Sequence, residues 1–233
     1  MTVSLRGVTA VLLPGAGSDD DYVRRAFTTP LRRVGAVLVA PAPQPGALIA
    51  GYTAALDRAA EAGPIVVGGV SIGAAVGTGW ALQHPESTVA VLAALPAWTG
   101  APAQSPAADS ARQTAAQLRT QGLDPVVAAM AASSPDWLAR ELARSWRGQW
   151  PALPGALDEA AGFVAPETDA LAGLRAPLAV AAAVDDPIHP HAVGVQWAAA
   201  APRAALRSVT LDRIGADPAE LGAACLAALA EVA

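Results

Sequence analysis

The stretch PIVVGGVSIGAAVGTGW, residues 64–80, decides how the chain is read. A β-branched apolar run ends in a glycine pair, a serine follows one residue later, and a small-residue helical stretch comes after it. Gly69-Val70-Ser71-Ile72-Gly73 matches G-x-S-x-G in the strand-to-helix context that a sharp turn needs, because glycine lacks the Cβ that would clash there. Such a turn sets Ser71 at a helix N-terminus, whose free N–H groups favour a developing negative charge. The plainer alternative makes Ser71 a helix N-cap, worth about 1 kcal/mol.

The same rhythm extends in both directions. VTAVLLP (8–14), GAVLVAPAP (35–43), PIVVGGV (64–70) and STVAVLAALP (87–96) read as strands, separated by stretches of helical spacing such as 47–63. Each run is apolar throughout, as strands covered by helices on both faces require. After residue 96 the rhythm stops: 97–165 holds no strand candidate, carries prolines at 102, 106, 125 and 135, and reads as a helical insertion. It resumes with APLAVAAAV (176–184), a helix at HAVGVQWAAAAP, a strand at 205–211 and a last helix from about Asp217 to Val232. The expectation is an α/β fold with a doubly wound, mostly parallel sheet formed by 1–96 and 166–233, and a helical cap at 97–165. On such sheets, ligands bind beyond the carboxyl ends of the strands, so the turns after residues 14, 70, 184 and 211 should converge.

Composition narrows the function. A length of 233 residues with 53% hydrophobic content suits one domain with an insertion. The net charge is −5, and the 15 basic residues, all arginine, are scattered, which argues against a nucleic-acid partner. Cys225, the single cysteine, lies in the apolar run LGAACLAALA and reads as a buried side chain, and no Cys/His cluster offers a metal site. No apolar run reaches about 18 residues, so a cytoplasmic protein without a membrane span is expected, and no cofactor motif is found.

On these residues the chain resembles a compact α/β-hydrolase, over nearly its whole length in element order, with TVSL (2–5) as a vestige of the family's first antiparallel strands. LLPGAGSDDDY occupies the place of that family's oxyanion loop, with Pro14 where the family has histidine. The resemblance implies that the N–H groups of Ala16 and Ile72 form an oxyanion hole. Read by themselves, Gly15 and Gly17 make a tight turn, and Ser18 and Asp19 cap the next helix. AVDDPIHP resembles the segment that carries the family's acid, which falls on Asp186, with Asp185 as second choice and turn initiation as the alternative use of Asp-Pro.

The base is the missing member. The resemblance places a histidine after the last strand, where this chain has Ala216 in LDRIGADPAEL. His84 ends the helix that starts at Ser71, roughly 18 Å away at 1.5 Å per residue. His189 and His191 are the candidates for a relocated base, and their alternative reading is a solvated helix start. Three accounts of Ala216 stand open: hydrolysis lost, a base moved, or a deliberate substitution.

Within the insertion Leu138, Leu142, Trp146 and Trp150 form a stripe at i, i+4, either ordinary core or the roof of a pocket to which Trp98, Met130 and Trp137 would add. An apolar pocket suits a small hydrophobic ester or acyl substrate. The leading expectation is a serine ester or thioester hydrolase working through an acyl-enzyme. The competing one is a non-hydrolytic homologue, ligand-binding or cyclase-like, using the same pocket.

Overall fold

The computed structural model describes residues 4–232. Six strands, β1 (Thr9–Leu13), β2 (Val37–Val39), β3 (Ile65–Val70), β4 (Thr88–Ala94), β5 (Leu178–Ala183) and β6 (Ala204–Val209), form one parallel sheet in the order β2-β1-β3-β4-β5-β6. Alternation along the strands sorts the core into two layers. Val11, Leu13, Val67, Val91 and Val180 face α2 (Leu48–Ala60), α3 (Ile72–Gln83) and α9 (His191–Ala200). Ala10, Leu12, Val66, Leu92 and Ala181 face α1 (Asp20–Arg33) and α11 (Ala219–Val232). Tyr52 and Trp197 are fully buried in the first layer and Phe27 in the second. Burial of an apolar side chain such as Phe27 stabilises the fold by about 1.5–3 kcal/mol.

β3 is buried along its whole length, which explains a strand that is apolar on both sides. α3 lies close against β3, where a Cβ on Gly77 of α3 would come within 2.7 Å of the Gly68 backbone; a Cβ on Gly68 itself would stand 2.0 Å from Leu92 O of the neighbouring β4. At the sheet edge, β2 is shorter than its apolar run, with Val37 and Val39 exposed. Part of TVSL lies outside the described residues, and Ser4 and Leu5 are not in a strand.

Between β4 and β5 the chain forms α4 (Pro106–Gln121), α5 (Leu123–Ser133), α6 (Asp136–Gln149), α7 (Leu153–Ala161) and the short α8 (Thr168–Ala172). α4 to α7 share a small core around Leu118, Val126, Trp146 and Leu157. Ser105 caps α4, its side chain accepting from Ala108 N, and Pro106 opens it. The sequence rhythm gave no sign of α10 (Leu211–Ala216), which follows β6 directly.

Candidate active site

Ser71 joins β3 to α3 at φ 55°, ψ −116°, a left-handed conformation that costs a non-glycine residue on the order of 1–3 kcal/mol. The backbone of β1 and the loop after it crosses so near that a Cβ on Gly69 would stand 2.1 Å from Leu13 O, and one on Gly73 2.2 Å from the same atom. Both glycines of the motif are therefore required by close approach of backbone. Ser71 accepts no capping hydrogen bond, which removes the N-cap reading. Its Oγ lies 3.0 Å from His189 Nε2 instead.

His189 and Asp186 come from the turn after β5. Asp186 Oδ1 accepts the N–H groups of Ile188 (2.8 Å) and His189 (3.1 Å), which folds the chain back on itself. The turn brings His189 Nδ1 to 2.8 Å from Asp186 Oδ2. An ionised carboxylate only accepts, so in the neutral ring Nδ1 carries the proton and Nε2 presents a lone pair to the Ser71 hydroxyl. Burial would raise the Asp186 pKa, but the His189 ring and the two backbone N–H donors outweigh it and hold the carboxyl below its ordinary value.

The remaining candidates fall elsewhere. Asp185 Oδ1 accepts from Leu211 N at 2.9 Å and so fastens the turn to α10. His191 Nε2 pairs with Ser208 Oγ at 2.9 Å, and His84 stacks on Trp80 at the far end of α3. Ala216 does not open on the site: it is exposed at the end of α10, whose Leu211 and Ile214 line the cavity beside Ser71. Residue 216 is therefore not among the residues that line the cavity, to which α10 contributes Leu211 and Ile214.

The cavity over Ser71, about 610 Å³, is lined by Ala16 and Ile72 beside the serine, and by Trp98, Met130, Trp137 and Trp146. Leu138 and Leu142 also line it, whereas Trp150, the fourth member of the stripe, lies outside and is 38% exposed. The stripe is core and cavity wall at once, since Trp146 also belongs to the α4–α7 core. Ser18 N donates to Gly15 O at 3.0 Å, closing a turn with Gly17 at φ 71°, and Asp19 caps α1. Ile72 is the first residue of α3, where amide N–H groups lack intrahelical acceptors.

Contacts that the sequence did not signal hold α6 against this turn. Gln149 Nε2 donates to Ser18 O at 2.8 Å, and Arg144 spans both oxygens of Asp19 at 2.7 and 3.1 Å. Burial, and then the charge of Glu141, push the Tyr22 hydroxyl well above its ordinary value, so that this cavity residue stays protonated. Cys225 is buried in α11, and burial pushes its thiol up to about 12. Among the described residues no grouping of three or more His, Cys, Asp or Glu is placed to hold a metal ion, and no helix is long and apolar enough to cross a membrane.

No family model matches the chain, and no curated protein does. Solved structures do match. MenH from S. aureus superposes with a TM-score of 0.75 at 14% identity, over 99% of this chain and 97% of that one. A bromoperoxidase from Bacillus anthracis gives 0.73 at 14% identity, over 97% and 92%. A structure from work on carboxylesterases of the thaumarchaeon Nitrososphaera gargenis gives 0.72 at 17% identity, over 89% and 83%. The chain has the α/β-hydrolase fold, and at these identities the likeness is one of fold.

Proposed function

We propose that the chain is a serine hydrolase that cleaves a small or acyl-chain ester or thioester through an acyl-enzyme. The observation that carries this reading is the relay from Ser71 Oγ to His189 Nε2 at 3.0 Å and from His189 Nδ1 to Asp186 Oδ2 at 2.8 Å. Ser71 Oγ attacks the acyl carbon while its proton passes to His189 Nε2, and Asp186 steadies the imidazolium that forms. The oxyanion is received by the N–H groups of Ala16 and Ile72, at the turn and at the α3 N-terminus. Collapse of the tetrahedral adduct breaks the bond to the alcohol or thiol, which takes the proton from Nε2. Water then attacks the acyl-serine, His189 accepts its proton and returns it to Ser71, and the acid leaves. Residues 97–165 act as the cap that keeps water from the acyl group.

The competing non-hydrolytic reading drew its force from the lack of an imidazole at 216, and His189 beside Ser71 weakens it. A fluorophosphonate probe decides between them. Labelling that disappears in Ser71→Ala and in His189→Ala is the expected result; an unlabelled parent chain would return the pocket to a binding role.

A further inference from the structure

One wall of the cavity, on α4, carries a row of polar side chains. Ser110, Thr114 and Gln117 follow one another at i, i+4 and i+7 on the face of α4 that lines the space over Ser71, each half-buried. They run alongside a different face, where Ala108, Ala115 and Leu118 are buried. Four helical hydroxyls elsewhere in the chain turn back to the carbonyl four residues earlier: Thr53 to Ile49, Thr78 to Ala74, Thr120 to Ala116 and Ser133 to Ala129. The side chains of Ser110, Thr114 and Gln117 make no hydrogen bond to any described residue. The charges in the same lining are already engaged: Arg144 pairs with Glu141 at 2.9 Å and with Asp19, and Asp186 is held by His189.

We infer that α4 forms a specificity wall for neutral, oxygen-bearing substrates: esters whose chain carries hydroxyl, ether or carbonyl groups beyond the scissile bond, in preference to plain hydrocarbon acyl esters. The inference rests on the reading of Ser71 as nucleophile and adds the substrate class. A hydrocarbon chain lying against α4 takes water from two hydroxyls and an amide and returns nothing to them, whereas oxygen functions satisfy these donors. The three residues span about 10 Å at 1.5 Å per residue, so more than one oxygen along a chain is read. With no unpaired charge in the wall, an ionic group on the substrate gains nothing there.

The test compares p-nitrophenyl decanoate with the ester of the same chain length in which ether oxygens replace the methylenes at C6 and C9, remote enough to leave the carbonyl's reactivity unchanged. The parent chain is expected to favour the ether ester in kcat/KM by about tenfold, after correction for the two rates with hydroxide. The Ser110→Ala, Thr114→Val, Gln117→Leu triple variant is expected to lose that preference, the ratio of the two kcat/KM values falling to about one. If the triple variant does not fold, Thr114→Val alone, which preserves shape, is expected to lose part of it. The same ratio is read as affinity in Ser71→Ala, from the fluorescence of Trp98, Trp137 and Trp146 on titration with each ester. A decanoate preference, or an ether preference that survives the wall substitutions, overturns the inference. A parent chain that turns over neither ester overturns the nucleophile reading instead, and the affinity ratio in Ser71→Ala still decides the wall.

Discussion

Asp186 and His189 lie on a single turn, three residues apart, and the carboxylate of one meets Nδ1 of the other at 2.8 Å. A carboxylate and an imidazole are thus brought to Ser71, 118 residues earlier in the chain, by one loop rather than by two strand ends. Asp186 has two tasks in consequence. Oδ1 shapes the turn through Ile188 and His189 N–H, and Oδ2 orients the ring that this turn presents.

Removing the ring should be nearly as damaging as removing the nucleophile. His189→Ala is expected to lower kcat by roughly 10⁴ to 10⁶, leaving what binding and the oxyanion hole provide. His191→Ala should change kcat by less than about threefold, because that ring pairs with Ser208 away from the cavity. Ala216→His should not rescue His189→Ala, since residue 216 is exposed at the end of α10. Steady-state kinetics on one activated ester checks all three.

That comparison also shows what the residues disclosed and what they concealed. The strand runs, the glycine-flanked serine turn and the Asp-Pro turn at 186 are legible because each depends on local chemistry: burial on both faces, absence of a Cβ, a carboxylate before proline. Chain order alone does not choose between His189 and His191, because neither position shows how far its ring reaches. The decisive feature, an aspartate accepting the N–H groups two and three residues on, is an Asx turn that Asp186-Pro187-Ile188-His189 is suited to form. It carries the side chain at the third position back beside the carboxylate. The match of Ala216 to a base position assumes a loop after β6, where Thr210 caps a helix, accepting from Arg213 N. The attachment of α6 to the turn after β1 joins residues more than 120 apart through side chains of arginine and glutamine that read as surface in isolation.

The depressed Asp186 pKa gives a stability signature with a defined sign. A carboxyl whose folded value lies below its unfolded value, near 3.9, stabilises the fold at pH values above the unfolded one and loses that contribution as pH falls through the folded one. Asp186→Asn keeps an acceptor for the turn and loses the charge. Urea denaturation should therefore show a stability gap between parent and variant that is constant above about pH 5 and narrows below about pH 4. At pH 7 the same variant is expected to lose roughly 10⁴ in kcat, because an amide N–H facing Nδ1 enforces the wrong tautomer.

Two glycines flank Ser71 for reasons of space, and a third in the same helix offers a control. Gly69→Ala and Gly73→Ala would place a Cβ within 2.1 and 2.2 Å of Leu13 O, a backbone atom that cannot swing aside. Each is expected to destabilise the fold by more than about 3 kcal/mol. Nothing lies within 4 Å of a Cβ on Gly79, so Gly79→Ala should instead stabilise by about 0.5–1 kcal/mol through helix propensity. Thermal unfolding ranks the three variants.

The hold of α6 on the turn Gly15–Ser18 should register in turnover rather than in binding. Gln149 donates to Ser18 O, and Trp146 packs so near Gly17 that a Cβ there would stand 2.8 Å from its indole nitrogen. Ser18 N in turn closes on Gly15 O, which fixes the peptide between Gly15 and Ala16. Loss of the Gln149 donor frees a carbonyl two residues from the Ala16 N–H, and a misaimed donor weakens the transition state more than the ground state. Gln149→Leu is expected to lower kcat about tenfold with KM within about twofold of the parent, less than the 10² to 10³ that follows loss of a whole oxyanion donor. Affinity for a trifluoromethyl ketone, whose adduct with Ser71 carries the oxyanion, should fall in parallel, while affinity for the product acid stays unchanged. Gln149→Lys, which keeps a donor of similar reach, should recover part of kcat. A merely structural role for Gln149 would move kcat, KM and product affinity together, and the lysine would not separate them.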